Sequence, residues 1–418
     1  MAASPDSGST AHTAMPRSWR GHGMVFRAFL AQNVAVGCAF GAFGVTVLSL
    51  QEKFDAGRGE ATLALALCVL MMGVFSPVAG MLIGRIGLRW LMTIGTLMSA
   101  AGYAMLAVAP NMAAVLLLYA LPIGVGLAMF GPFPSSVLAS NWFADNPGPA
   151  LGVTNIPLFV ALLPVVGSVL IRDHGLTALY LTLAALHLLL LPFVLTVKDA
   201  PAARHDLQVH GSAGQDMLST GEVLRRPVFW MMCLGAGYLN AAGITSVSHL
   251  AAFAIERGLE TDHAALLLSL MGGAGMIGSL AIGWLSAWLG AARTLAVIAG
   301  AVCLSWVALS TTLNFTLMAA AALLMGSGGA GVFPAVTMLA GRLFGQRSLP
   351  RVMGLFVLFS LPMTFVLPPM AGVLHDAVDG YGSVVGILIG GAAIVALIFL
   401  SMGRLMASTG MAQPIPAA

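Results

Sequence analysis

Side chains able to do chemistry are few in this chain and are scattered through long apolar stretches. Two histidines, His187 and His249, lie inside such stretches. An imidazole titrates near neutrality, and within a membrane it can relay protons. The plainer alternatives are a hydrogen bond to a neighbouring helix or a lipid-edge place for His187, and a structural or vestibule role for His249. Neutral polar groups follow: Gln32, Asn33, Asn155, Tyr238 and Asn240. Asn33, Asn155 and Asn240 can hydrogen-bond a small solute, or tie one helix to another for about 0.6 kcal/mol each. Phe130 and Phe333 can close over a ligand, and equally can pack between helices. Most charges gather at the ends of the stretches. Arg85 and Arg89 can pair with an acid to hold one conformation shut, with Asp145 in the next loop as a partner, or can simply keep positive charge on one side. Glu60 and Asp376 sit at stretch ends, where carboxylates are solvated or cap helices.

Other chemistry is excluded. No Gly-x-x-x-x-Gly-Lys loop is present, so nothing in the sequence suggests direct ATP drive. Cys38, Cys68, Cys233 and Cys303 fall in apolar runs without metal-ligand spacing, and no His-Glu metal motif occurs. The glycines of Gly272-Gly273-Ala274-Gly275 lie inside an apolar stretch, which rules out a dinucleotide loop. The expectation is a protein that is not an enzyme and holds no metal and no cofactor.

The elements that must carry these residues are set by composition. Of 418 residues, 59% are hydrophobic and only 8% charged, against about 25% charged in a soluble domain. Mean hydropathy is +0.96. A lipid surround removes the need for a charged surface, and 50 glycines suit helices that approach closely. A net charge of +3 gives no footprint for nucleic acid. About 20 apolar residues span a bilayer as helix, which predicts spans at 26–50, 61–84, 91–109, 112–139, 149–171 and 176–197. Six more follow at 228–254, 263–287, 294–311, 315–340, 351–374 and 382–404. Residues 1–24 and 405–418 read as tails, and the polar segment 198–227 as a linker between the halves 25–197 and 228–404. Of the 18 Lys and Arg, four (Lys53, Arg58, Arg172 and Arg257) fall on one face and the other fourteen on the opposite one. The positive-inside rule then puts both termini and the linker in the cytoplasm.

The halves repeat each other. Gly80-Met81-Leu82-Ile83-Gly84-Arg85-Ile86-Gly87-Leu88-Arg89 follows the second span, and Gly283-Trp284-Leu285 with Gly290 and Arg293 follows the eighth. Gly131-Pro132-Phe133-Pro134 in the fourth span recurs as Gly331-Val332-Phe333-Pro334 in the tenth. Such duplication in a membrane background points to a transporter built of two six-helix units.

These residues resemble the major facilitator superfamily. The first loop matches its signature Gly-x-Leu-x-Asp-Arg-x-Gly-x-Arg at Gly80, Leu82, Arg85, Gly87 and Arg89, with Gly84 in the aspartate's place. The second matches at Gly283, Leu285, Gly290 and, shifted by one place, Arg293. Within the superfamily the chain is similar to the monocarboxylate and oxalate:formate branch. That likeness rests on Asn141-Trp142-Phe143 with Ala150-Leu151-Gly152, on Ser248-His249-Leu250 with Gly258-Leu259, and on Pro369-Met370-Ala371-Gly372 through Asp376, Gly380 and Tyr381. Ser279 stands where carboxylate carriers of the branch place an arginine, and Gly41-Ala42-Phe43-Gly44 is uncharged where animal members carry a basic residue.

The resemblance implies an all-α membrane protein with twelve transmembrane helices in two six-helix pseudo-repeats, the major facilitator fold. It implies a monomeric secondary transporter in a plasma membrane, bacterial inner membrane by expectation. The partners expected are the lipid bilayer, a small organic solute such as a monocarboxylate, and protons or a counter-substrate. Asn33, Phe130, Asn155, Asn240, Ser279 and Phe333 are the substrate-site candidates. Gly80, Arg85, Gly87, Arg89, Gly283, Gly290 and Arg293 are the gating candidates, and His187 and His249 those for proton coupling. An efflux carrier for apolar compounds and a non-transporting membrane sensor are the alternatives.

Overall fold

A computed structural model of the chain describes residues 17–143, 147–198, 218–345 and 348–408. Most of both tails and of the linker, with Asp145 and Arg347, lies outside these residues. The helices before the linker are α1 (Arg17–Val36), α2 (Phe43–Phe54), α3 (Arg58–Leu106), α4 (Met112–Leu118), α5 (Gly126–Phe130), α6 (Pro132–Trp142), α7 (Pro147–Thr154) and α8 (Leu158–Leu195). Those after it are α9 (Thr220–Leu224), α10 (Pro227–Glu256), α11 (Thr261–Leu289), α12 (Ala291–Thr311), α13 (Phe315–Gly329), α14 (Val332–Phe344), α15 (Leu349–Val378) and α16 (Gly382–Ser408). π-helical turns at Gly37–Gly41 and Tyr119–Val125 join α1 to α2 and α4 to α5.

Among the described residues, 9 helical stretches are long and apolar enough to cross a membrane. Two of these, Arg58–Leu106 and Ala150–Leu195, fold back at Gly87 and Gly175 and each make two rods. With α11, also of membrane length at 29 residues, twelve rods can be traced among the described residues. Helix ends overrun the predicted spans: the first rod starts at Arg17 rather than 26, and the third at Leu88 rather than 91. Polar and basic residues flanking an apolar run remain helical because the backbone keeps its hydrogen bonds into the interface. An even number of rods brings both termini to one end of the bundle, here called the near end. The opposite end is the far end.

The signature loops are turns made by glycine torsions. Gly87 has φ 80° and ψ 158°, and Gly290 has φ 85° and ψ 149°. A side chain at either would be strained in that region. Gly80 precedes Gly87 by the same interval as Gly283 precedes Gly290, so the sequence repeat is a repeat of backbone geometry. Asparagine caps do likewise: Asn111 Oδ1 accepts from Ala114 N–H at the start of α4, and Asn314 Oδ1 from Thr316 and Leu317 N–H at α13.

Two apolar cores form, one drawn from residues 24–197 and one from 223–402. Small residues set how closely helices approach. A Cβ on Gly326 of α13 would collide with the Met271 carbonyl of α11, and one on Gly278 with the Ser327 carbonyl. Between the cores, glycine again meets backbone: Gly44 of α2 lies against the Val247 carbonyl of α10, Gly272 of α11 against Val160 of α8, and Gly372 of α15 against Gly59 of α3. At the near end, the chain leaving the linker is docked on α15. Leu218 N–H donates to Ser348 Oγ at 3.0 Å and Arg351 Nη1 to the Leu218 carbonyl at 2.5 Å. Ser219 and Glu222 then form a capping box, whose hydrogen bond from the Ser219 N–H holds the Glu222 carboxyl below its ordinary range.

Replacing Gly326 with valine inserts a branched side chain where backbone carbonyl already stands. We expect Gly326→Val to cost about 1–3 kcal/mol or more, read as a lower unfolding temperature in detergent. An unchanged temperature would mean that α11 and α13 are not locked together as described.

Candidate functional site

The polar residues along the seam between the two cores begin on α1. Asn33 is nearly fully buried. Its Nδ2 donates to the Phe29 carbonyl at 3.0 Å and the Ile156 carbonyl at 2.9 Å, and its Oδ1 accepts from the Phe159 N–H at 3.0 Å. These bonds satisfy backbone groups freed where the fifth rod breaks between α7 and α8. Asn33 is thus fully committed to holding the break open. At the edge of that break Asn155 is exposed; its Oδ1 accepts from Gln32 Nε2 at 3.2 Å and its Nδ2 donates to the Leu151 carbonyl at 2.9 Å. Gln32 Oε1 is buried without a partner. The break borders the other half, because a Cβ on Gly275 of α11 would come within 3.5 Å of Pro157 Cγ.

In the other half, Asn240 of α10 is half-buried and makes no hydrogen bond to the described residues. It lies two helical turns from Val247, on the face that Val247 turns to α2. Ser279 and Gly283 are on α11, their side-chain positions outside the described residues. Phe333 opens the second part of the tenth rod and is 52% exposed.

Phe130 corrects the sequence expectation. It is fully buried, edge-on to His187 with ring centroids 5.6 Å apart. The break at Gly131, with φ −79° and ψ −138°, turns the chain there. Phe133, 41% exposed, is the true counterpart of Phe333; the equal spacing of the two Phe-Pro pairs carried that signal. His187 is likewise inside the first core, between Tyr103 and Phe130, with Nδ1 2.7 Å from the Leu183 carbonyl and Nε2 without a partner. Nothing titratable bonds to it to form a relay among the described residues.

The gating candidates divide. Gly87 and Gly290 are the turns themselves, and Gly80 lies 3.6 Å (from an ideal Cβ) from the Phe133 ring. Arg85 and Arg89 are exposed and form no ion pair among the described residues; Arg89 lies over its neighbour Trp90. Arg293 runs along Gly403 of α16. No hydrogen bond or ion pair among the described residues joins the two halves at the near end.

The far end is different. Arg58 of α3 pairs with Glu256 of α10 at 3.1 Å. Arg172 of α8 pairs with Asp262 of α11, which also accepts from Ser168 Oγ at 3.0 Å. Asp376 of α15 accepts from the Gly59 N–H at 3.2 Å, capping a helix of the other half. His249 is fully buried beneath this layer, with Nδ1 3.0 Å from Tyr381 Oη and Nε2 2.9 Å from the Pro368 carbonyl. Sequence reasoning placed Arg58 and Arg172 only as outer-face charges and missed Glu256, Asp262 and His375. Their partners lie far away in the chain, and the one available signal was that acids and bases share this end. Among the described residues, then, ion pairs join the halves at the far end and none joins them at the near end.

The sequence model of the Major Facilitator Superfamily matches residues 29–368. The chain belongs to the major facilitator superfamily. It is 26% identical over 393 residues to human Monocarboxylate transporter 11, covering 88% of this chain and 80% of that one. Among solved structures, the peptide transporter POT superposes with a TM-score of 0.72 at 12% identity, over 95% of this chain and 99% of that one. The nucleoside transporter NupG gives 0.71 at 14%, over 91% and 99%. A bacterial homologue of the human lysosomal transporter Spinster, in an inward-facing and unoccupied conformation, gives 0.68 at 15%, over 98% and 100%. The protein is a multi-pass membrane transporter of this family and not an enzyme.

The amides should separate by role. Asn33→Ala strands buried backbone groups at the break and should cost about 1–3 kcal/mol, whereas Asn240→Ala should stay within about 0.5 kcal/mol. Chemical unfolding of the purified variants measures both; equal losses would refute the division.

Proposed function

We propose that this transporter moves a small organic solute, an organic anion such as a monocarboxylate, across the plasma membrane by alternating access, as a secondary carrier with both termini in the cytoplasm. The observation that carries the alternating-access reading is the asymmetry of the bundle: ion pairs join its halves at the far end, and none does so at the near end among the described residues. The sequence pattern assigns fourteen of the 18 Lys and Arg to the side of the termini, which supports reading the near end as cytoplasmic and this conformation as inward-facing. The monocarboxylate class draws on the sequence pattern and on the 26% identical human relative.

Gln32 and Asn155 are the residues proposed to meet the cargo. Gln32 Nε2 spends one N–H on Asn155 Oδ1, whose own NH₂ is held by the Leu151 carbonyl, and has a second N–H to offer a carboxylate. Asn240 faces the seam from the other half with its carboxamide uncommitted. Asn33, Phe133, Phe333 and the turn glycines shape and move this border. A carboxylate would so be held by neutral donors, in a seam where Ser279 replaces the arginine expected from carboxylate carriers.

A second reading, an efflux carrier for apolar compounds, is favoured by a groove of about 500 Å³ between α11 and α13. Its lining is almost wholly apolar and includes Leu270, Met276, Ile277, Leu323 and Leu324. Thermal-shift screening of the purified protein separates the two. Short carboxylates should stabilise it, and Gln32→Ala should then raise KM for carboxylate uptake into liposomes about ten-fold or more, the scale of one hydrogen bond to a charged group. Stabilisation by apolar compounds alone would transfer the assignment to the efflux reading.

A further inference from the structure

His375, near the end of α15, has two neighbours at the same ring nitrogen. Its Nε2 lies 2.7 Å from Arg58 Nη1 and 2.8 Å from Glu256 Oε2, while Nδ1 lies 3.1 Å from Asp376 Oδ1. Arg58 can only donate and an ionised Glu256 can only accept. A neutral ring with Nδ1–H donating to Asp376 leaves a lone pair on Nε2, which accepts from Arg58. A ring carrying a second proton donates Nε2–H to Glu256 instead, and Arg58 loses that acceptor. The two arrangements use the same heavy-atom positions and are mutually exclusive. They differ by one proton.

We propose that His375 is a proton-binding site that unlocks the far-end tie between the halves, so that acid at that face favours opening there. The inference rests on the alternating-access reading and supplies its driving ion. In the step, the Nε2 lone pair takes a proton from water at the far face, and the imidazolium so formed stands beside the Arg58 guanidinium. With His375 neutral, Arg58 faces Glu256 and Asp376 and the group carries one surplus negative charge; the added proton balances it. Arg58 is thereby pushed off His375 and must share Glu256 with a competing cation. Since Arg58 belongs to α3 of one half, and His375 and Glu256 to α15 and α10 of the other, this loosens the joint between them.

The surroundings suit such a site. The side chains of Arg58 and His375 are 12% and 11% exposed and that of Glu256 is 39% exposed, so water reaches the group through Glu256. Besides these and Asp376, the packed elements contribute Tyr381 and His249. The Tyr381 ring lies 4.6 Å from the His375 ring and 5.3 Å from the Arg58 guanidinium. Gln51 of α2 accepts from Arg58 Nε at 3.3 Å. Lys53, Asp55, Glu60 and Asp379 share this end and make no hydrogen bond or ion pair with the group. His249 is not the switch. Its Nε2 faces the Pro368 carbonyl, which only accepts, so that nitrogen carries the proton and Nδ1 accepts from Tyr381 Oη. It forms the fixed floor beneath His375.

Distances across the far end test this in the full-length protein. Spin labels at Pro110→Cys and Leu313→Cys, in a background with the four native cysteines replaced, report the far-end separation by pulsed EPR. Between pH 8 and pH 5 the unmutated switch should shift population to longer distances. His375→Gln should abolish that pH response, and Asp376→Asn, which removes the carboxylate facing Nδ1, should move its midpoint about one pH unit lower. A response that survives His375→Gln, or a midpoint unmoved in Asp376→Asn, overturns the proposal. Arg58→Ala separates the two layers of argument: longer distances at every pH in that variant, with no pH response in the parent, keep alternating access and remove the proton site. Distances fixed under all conditions remove both.

Discussion

Everything in this molecule depends on how closely helices from its two halves can approach, and glycine decides that distance. Gly44, Gly59, Gly272 and Gly372 put backbone against backbone at the seams α2–α10, α3–α15 and α8–α11. Lipid offers no hydrophobic drive for helices to associate, so dispersion at such contacts is the main attraction available. It is also a short-range attraction, lost once the surfaces part by an ångström or so. Seams of this kind suit a joint that must be tight when closed and yet be able to part. On the alternating-access reading, the residues that let the halves meet also set the pivot between them.

The polar ties at the far end add little to that contact in energy, and their weakness is part of their use. The Arg172 and Asp262 side chains are 52% and 54% exposed, and an exposed pair contributes about 0.2–1 kcal/mol. The Arg58 pair is better shielded, but one of its members remains open to water. Two conformations can exchange only if their free energies differ by a few kcal/mol. A buried multi-residue ionic lock would exceed that range, whereas two partly solvated ties bias the equilibrium without fixing it. At the near end Arg85 and Arg89, stripped of the signature's aspartate, contribute no compensating tie among the described residues.

Much of this was legible from residue order alone. Apolar runs of membrane length gave the rods, and the paired glycines gave the repeat, because a positive φ can be read directly from a glycine at a turn. The Phe-Pro spacing paired the fourth rod with the tenth. The side on which a residue faces was less legible. Phe130 sits only three residues before Phe133, yet one is in the core and the other exposed, since the torsion at Gly131 interrupts the helical register. The far-end ties were not legible at all. Arg58, Glu256 and His375 are separated by 198 and 119 residues along the chain, and each taken singly is an ordinary charged residue at a helix end. Asp376 was read as either solvated or a cap, and the helix whose Gly59 N–H it accepts from belongs to the other half.

The absence of a fixed charge among the seam residues described, Gln32, Asn33, Asn155 and Asn240, constrains what can cross. A lone anion passing such a seam would leave the shelter of water for neutral amides, and would also work against or with the membrane potential by about 2.3 kcal/mol per charge per 100 mV. A carboxylate that moves together with one proton carries no net charge and escapes that term. On the proposed reading, the chain needs no arginine at Ser279 to hold the anion, because the counter-charge arrives as a proton at the rim rather than as a side chain at the centre. On that reading the scarcity of ionisable groups in the spans has a cause: the protein supplies hydrogen bonds along the path and places its proton-binding residue at the rim.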